Sequence, residues 1–367
     1  MSETYGVPGE IGKITLARRS SVPLERRFRV WLRRVGHFAR SFPLARARSL
    51  RLAWLSVKRA LRVPTGSDHA FLTEEFIRLA KARLVGSQCH ITTERGDGAG
   101  AQAMAKMSAI CLAQACNLTY VHEPFAAMEH VEGDPDEYAA SWERLFNLGH
   151  GEIKAAECHL PRVNVEEFIV NPHWRTSPCL LTTKHFVRFT DQEPDAYLGV
   201  IQQLRTKYRR GSPSRPPSST VQVCVHLRRG DVSADDPGTT RRFTNDAVVL
   251  NSIAQVRELL EELGMSARIR LFSQGSDKDF ANFRDAGCEL CLDVPARDTL
   301  CELVEADILV MSKSSFSYVA AILNDGVKLY DDGYARSPMS EWLKRDMHGL
   351  VDKEALRRQI ASINLGR

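Results

Sequence analysis

Long apolar runs are missing from this 367-residue chain. No stretch approaches the roughly 20 apolar residues that cross a bilayer, so a transmembrane helix is not expected. The opening residues, MSETYGVPGEIGKITLARR, also lack the charged start and apolar core of a secretory signal. The expectation is a protein that stays in the cytoplasm. A disulfide framework is absent as well. Nine cysteines, an odd number, are scattered without regular spacing. Several lie in apolar runs such as VQVCVHL, where a reduced cysteine acts as a small core residue. Cys288-Glu-Leu-Cys291 has redox or zinc spacing. No second pair stands at zinc-finger distance, and on a strand the two thiols would face opposite sides, so these cysteines read as core. Nothing in the composition suggests disorder: 43% hydrophobic and 26% charged residues are ordinary globular values. The length suits two domains.

Positive charge is unevenly spread. The net charge is +5, yet residues 18–63 carry fourteen Lys or Arg and one acid, Glu25, which leaves the remainder near −8. Phe28, Trp31, Leu32, Val35 and Phe38 recur at helical spacing among arginines, Pro43 breaks the pattern, and Leu50, Trp54, Val57 and Leu61 resume it. Residues 1–70 therefore read as a basic, amphipathic helical extension. Its arginines could be solvated while it docks on the body, or residues 24–62 could lie on an anionic membrane surface at the inner face. A nucleic-acid partner is not expected, because no recognised binding motif accompanies the charge.

From residue 71 to 212 the chain reads as a first α/β domain. A helix around Leu72–Ala80 precedes a strand at Cys89, a glycine turn over 96–100, a helix over 101–115 and a strand at Leu118–His122. Strand, turn, helix, strand is a βαβ unit with parallel strands. Residues 130–190 suggest short helices and one strand near Cys179–Thr182. Gly211-Ser-Pro-Ser-Arg-Pro-Pro-Ser-Ser is a linker. Residues 219–335 then repeat the α/β pattern. Strands are expected at 221–227, 268–273, 288–292, 307–311 and 327–330, with Asp298 capping a helix to Ala306. Residues 336–367 read as two closing helices, near 339–347 and 351–362. The fold class is α/β, with two facing, doubly wound Rossmann-like domains behind a helical extension.

Two segments carry the chemistry. In Val223-Cys-Val-His226-Leu-Arg228-Arg229-Gly230-Asp231 an apolar strand ends in two arginines. Ligands of open parallel sheets bind at the carboxyl ends of strands, and guanidinium groups match phosphate there. The structural alternative is pairing of the arginines with Asp231 or with acids of the other domain. In Leu309-Val-Met-Ser-Lys313-Ser314-Ser315-Phe316-Ser317 a strand runs into a serine turn that opens a helix. Its free N–H groups and dipole suit phosphate, although simple N-capping would need only one serine. Together the segments form a diphosphate cradle. Such a cradle can stabilise a departing diphosphate without a metal, as cleavage of a sugar–phosphate bond requires. Of the Asp-x-Asp pairs, Asp134/Asp136 has no strand leading into it, and Asp277/Asp279 follows a strand but Ser276 and Asp277 read as helix caps, so neither a metal nor a cofactor is expected.

His226-Leu-Arg228-Arg229-Gly230-Asp231 resembles the HxRRxD motif of the α1,2- and α1,6-fucosyltransferases and the nodulation fucosyltransferases. Leu271-Phe-Ser273-Gln274 is similar to their second motif, with Gln274 where aspartate is usual. Ser312-Lys313-Ser314-Ser315-Phe316-Ser317 resembles their third, with Lys313 in place of asparagine. Gly98-Ala-Gly100-Ala-Gln102 resembles the turn opening their first domain. The likeness runs in order over about residues 88–331. It implies a GT-B fold, an inverting transfer from GDP-fucose to a glycan or glycolipid, Arg228 on the β-phosphate, His226 near the nucleotide, and the serine turn around the diphosphate. By the same likeness Arg229, Ser273, Gln274, Gly98, Gly100 and Gln102 belong to the donor site. An inverting step needs a general base. Asp97, Glu123 and Asp231 are the candidates, and Asp231 could instead fix the arginines.

Two other readings stand beside this one. Gly96-x-Gly98-x-x-Ala101, with Glu123 ending the next strand, fits a dinucleotide fingerprint and so an NAD(P)-dependent oxidoreductase, but leaves the two phosphate segments unexplained. A non-catalytic protein is the second: either a nucleotide-sugar binder or, from the tripeptides Arg95-Gly-Asp97 and Arg229-Gly-Asp231, a binding module. The tripeptides are short enough to recur by chance.

Overall fold

The computed structural model describes residues 52–53, 69–82, 88–212 and 218–363. The helices expected in the basic arm thus lie outside the described residues, apart from the helical Leu52 and Ala53, as do linker residues 213–217. The chain divides into the units Met1–Thr65 and Gly66–Arg367, and the fold below is that of the second. No helix among the described residues is long and apolar enough to cross a membrane.

The first half contains α1 (His69–Lys81), β1 (Cys89–Thr92), α2 (Ala99–Cys116), β2 (Thr119–His122), α3 (Pro135–Phe146) and β3 (Ile153–Lys154). It continues with β4 (Arg162–Asn164), α4 (Val165–Val170), β5 (Cys179–Thr182), α5 (Val187–Gln192) and α6 (Ile201–Gly211). Its strands form one sheet in the order β3-β2-β1-β5-β4, with every pairing parallel.

The second half contains β6 (Val221–His226), α7 (Asp246–Glu262), β7 (Ala267–Ser273), α8 (Ala281–Asp285), β8 (Glu289–Leu292) and α9 (Ala296–Val304). After these come β9 (Ile308–Val310), α10 (Ser315–Leu323), β10 (Val327–Asp331), β11 (Leu343–Arg345) and α11 (Lys353–Ala361). Its sheet runs β11-β10-β9-β6-β7-β8, again parallel throughout. Two parallel-sheet, Rossmann-like α/β halves are therefore present, as the sequence pattern implies.

The topology positions the site. From β6 the chain winds outward through β7 and β8, then returns to lay β9, β10 and β11 on the other side. The switch point lies between β6 and β9, which pair from Val223 with Ile308 to Val225 with Val310. Ligands of doubly wound sheets bind at such a point. β6 is buried on both faces from Val221 to Val225, which is why its sequence is nearly continuous in apolar residues. Helix α2 is apolar nearly all round and is buried over most of its length. The backbone N–H of its C-cap Asn117, in the left-handed region at φ 55°, bonds to the last carbonyls of the helix.

Several expectations need correction. The segment 339–347 is not a helix. Met339 and Trp342 are buried, Trp342 packs its ring on Tyr318 and Tyr330, and Leu343–Arg345 adds β11 to β10. An available sheet edge outweighed helical spacing there, while the second closing helix is present as α11 (Lys353–Ala361). Asp298 is not a cap either: Pro295 is the N-cap of α9, and Asp298 sits in its first turn. The glycine turn is shorter than expected, because Ala99 and Gly100 already belong to α2. Within 130–190 the strand Cys179–Thr182 is where the sequence puts it, but the short edge strands β3 and β4 are additional.

Candidate active site

One cavity of about 910 Å³ opens between the two halves, at the carboxyl ends of both sheets. That is the size of a cofactor-binding cleft. Its second-half wall starts at His226, the last residue of β6. Burial, and then the charge of Arg228, pull this imidazole down to about 3, so it is neutral at working pH. Ser312 Oγ lies 2.8 Å and Ser317 Oγ 3.0 Å from Nδ1. Ser317 Oγ donates to the Ser312 carbonyl, which leaves Ser312 Oγ free to donate to Nδ1. The ring proton then belongs on Nε2. Ser317 is fully buried and orients His226 rather than facing the cavity.

The two arginines of the motif go separate ways. Arg228 is held edge-on by Asp231, with Nε 3.0 Å from Oδ1 and Nη2 2.5 Å from Oδ2. Its Nη1 points to Ser314 Oγ, 3.5 Å away, across the switch point. Arg229 instead spans the loop. It donates to the carbonyls of Arg228 and Thr244, pairs with Asp246 at 2.5 Å, and stacks on Phe243 with its guanidinium carbon 4.2 Å from the ring centre. Only Arg228 has a donor turned toward the serine turn. Gly230 allows the sharp return at φ +80°, and a side chain there would meet the Gln274 amide. Burial raises the Asp231 carboxyl, but the Arg228 hydrogen bond and charge outweigh this and hold it below the usual carboxylate range.

The serine turn divides its labour. Ser314 is the N-cap of α10 and accepts from Phe316 N at 3.2 Å. Ser315 and Phe316 line the cavity. Phe316 lies between His226 and Trp142 of the other half, with ring centres 5.5 and 6.3 Å away. Lys313 also lines the wall, donating to the Phe243 carbonyl at 3.2 Å. Ser273 faces the cavity at the end of β7 while donating to the Leu227 carbonyl at 2.7 Å, and Gln274 follows it, exposed.

The first-half wall is the start of α2. Gly98 caps this helix without a side-chain bond, and residues 97–101 line the cavity. Gly100 touches the other half directly: a Cβ there would lie 2.7 Å from Phe316 N and Cα. The N-termini of α2 and α10, one from each half, therefore converge on one space. Gln102 does not reach it. It is buried, and its amide donates to the carbonyls of Asp97 and Ala126, latching the loops after β1 and β2 together. Buried Lys106 adds a second latch by donating to the Glu123 carbonyl at 2.7 Å, and burial pulls its pKa down to about 8.

The three acid candidates differ in position. Glu123 is absent from the cavity wall and pairs with Arg162 at 2.8 Å. Asp231 is engaged by Arg228. Asp97 lines the cavity; one oxygen accepts from Arg95 at 2.8 Å, and the other is buried with no hydrogen-bond partner. Burial raises its pKa, an effect only partly offset by Arg95.

Other groups have different employment. Asp134 caps α3, Asp279 closes a capping box with Ser276, and Asp277 pairs with Arg284. Arg229-Gly-Asp231 is cavity wall throughout, and of the other Arg-Gly-Asp tripeptide Arg95 and Asp97 line the cavity. Tyr138, Trp142, Arg242, Tyr334 and Arg336 line the cavity too, and sequence reasoning missed them. Tyr138 and Trp142 read as the apolar face of an amphipathic helix. Tyr334 and Arg336 follow β10 on the same side as the motif loops, and that strand-end position was the signal available for them.

No family model and no curated protein matches the sequence. Among solved structures, the chain is similar to fucosyltransferase NodZ from Bradyrhizobium at 11% identity and TM-score 0.36, covering 65% of this chain and 94% of that one. It is also similar to Escherichia coli heptosyltransferase WaaC with ADP, at 13% identity and TM-score 0.35, covering 74% and 98%. A family 9 glycosyl transferase from Veillonella parvula matches at 9% identity and TM-score 0.35, covering 75% and 96%.

Proposed function

We propose that the chain is an inverting, metal-independent glycosyltransferase acting on a nucleotide diphosphate sugar and a glycan or glycolipid acceptor. GDP-fucose is the donor that the HxRRxD resemblance implies. One observation carries the reading: two helix N-termini, one from each half, converge beside the Arg228 edge that faces Ser314 at the switch point between β6 and β9. Both helix ends and the guanidinium favour negative charge in the same space.

The chemistry follows from that field. An acceptor hydroxyl attacks the anomeric carbon from the side opposite the leaving group, which inverts the centre. The bond to the β-phosphate oxygen breaks, and its electron pair leaves with the diphosphate. Arg228 and the first turn of α10 stabilise the charge that develops there. Asp231 is a positioning residue that fixes the plane of Arg228. Asp97 is the base that receives the acceptor proton. Its second oxygen is unpartnered, and its raised pKa makes it a stronger proton acceptor than an ordinary carboxylate.

Calorimetry with GDP, GDP-fucose, UDP, ADP and NADH in metal-free buffer tests the reading. Binding of GDP and GDP-fucose is the expected result. UDP or ADP binding would keep the transferase and discard fucose, whereas NADH binding alone would favour the oxidoreductase. Donor binding without turnover over a panel of glycan and glycolipid acceptors would leave a nucleotide-sugar-binding protein.

A further inference from the structure

We infer that Asp293, at the end of β8, is the group that accepts the ribose hydroxyls of the bound nucleotide. The inference rests on the transferase reading and adds a nucleoside subsite to it.

Asp293 has an unusual setting. It follows β8 directly and adopts φ +52°, a left-handed conformation that few residues other than glycine, asparagine and aspartate adopt readily. Its N–H donates to the Ser273 carbonyl at 3.0 Å, so its backbone is pinned to the end of β7. The side chain is exposed and lines the cavity. Among the described residues its carboxylate has no hydrogen-bond or ion-pair partner.

The ordinary use of an acid just ahead of a helix is to cap it. Here that place is already taken. Pro295 is the N-cap of α9, and the Ala296 N–H is met from the opposite half by Glu132 Oε1 at 3.4 Å. The carboxylate of Asp293 is left facing the cavity without a structural task.

Its place along the cavity suggests the task. The anion-seeking groups stand at the ends of β6 and β9. Asp293 stands at the end of β8, two strand spacings of about 4.8 Å each from β6. A ligand with phosphates at the switch point and its nucleoside over β7 and β8 would bring a ribose to this carboxylate. An ionised carboxylate only accepts hydrogen bonds, and the adjacent 2′- and 3′-hydroxyls of ribose offer two donors side by side. Phosphate would be repelled there, so the charge pattern also sets the direction in which the nucleotide lies.

Asp293→Asn tests this, because asparagine tolerates the left-handed backbone while losing the charge. Binding of GDP, ADP and UDP, of their 2′,3′-dideoxy counterparts, and of inorganic pyrophosphate is measured on the wild-type and variant full chains. The variant is expected to bind the ribonucleotide about 10- to 100-fold more weakly, the range for a hydrogen bond to a charged group. Pyrophosphate and the dideoxy nucleotide should bind both proteins equally. Equal ribonucleotide binding, or an equal loss for the dideoxy form, would overturn the ribose contact and leave the transferase reading standing. If wild-type protein binds none of the three ribonucleotides, both fall together.

Discussion

Gly100 and Phe316 meet backbone to side-chain position, with 2.7 Å between the site of a Cβ on Gly100 and the Phe316 N and Cα atoms. This approach brings two helix N-termini to one cavity. Gly100→Ala would push α2 and α10 apart, since backbone cannot yield as a flexible side chain does. Overpacking of this kind costs about 1–3 kcal/mol. The expected outcome is a lower Tm together with weaker donor binding, whereas Gly98→Ala, with nothing within 4 Å of the added carbon, should be mild in both. Thermal melts and calorimetry on the two variants check this.

Arg228 and Arg229 should fail in different ways. Arg228→Ala is expected to lower kcat/KM by about 100-fold or more, the scale for removing one charge-stabilising donor, with the protein still folded. Arg229→Ala removes the stack on Phe243 and the Asp246 pair, so it should chiefly lower the Tm. Normal turnover by Arg228→Ala would sink the phosphate role.

The proposed base predicts a pH profile. Asp97 must be ionised to take a proton, and burial raises its pKa. The acidic limb of kcat/KM should therefore fall at higher pH than an ordinary carboxylate would give. Asp97→Asn should abolish the limb and lower the rate by about 100- to 10,000-fold. Asp231→Asn should lower the rate but keep the limb. A raised acid pKa also means that the folded state loses stability as pH climbs from the ordinary carboxylate value through the raised one. The Tm of Asp97→Asn should lack that component.

Chelation separates charge stabilisation by the chain from stabilisation by an ion. Activity measured with EDTA is expected to equal activity without it. Loss of activity that Mn²⁺ restores would rule out a metal-free cradle.

The basic arm makes its own prediction. A chain lacking residues 1–65 should bind the nucleotide as the full chain does but sediment less with anionic liposomes, with the difference shrinking at high salt. Equal sedimentation of both proteins would reject the membrane reading.

Local pattern carried much of this far. The apolar run of β6 ending in His226 and Arg228, and the run of β9 ending in the serine turn, mark strand ends whatever surrounds them, because a parallel strand buried on both faces must be apolar until it emerges. The strands β6 to β10, the βαβ unit and the Cys179–Thr182 strand are legible for the same reason. What tertiary structure decided depends on partners distant in sequence. Within the segment 339–347, Leu343–Arg345 became a strand because the edge of β10 stood open. Gln102, Ser317 and Arg229 resemble ligand contacts in the sequence, yet they bind Ala126, His226 and Asp246. Glu123 went to Arg162, and Asp97, alone of the three acids, kept a buried oxygen unpartnered. Sequence determined which side chains could do the chemistry, since residue type sets charge and hydrogen-bonding capacity. Only folding decided which of them were left free to do it, because every nearby partner claims a donor or an acceptor first.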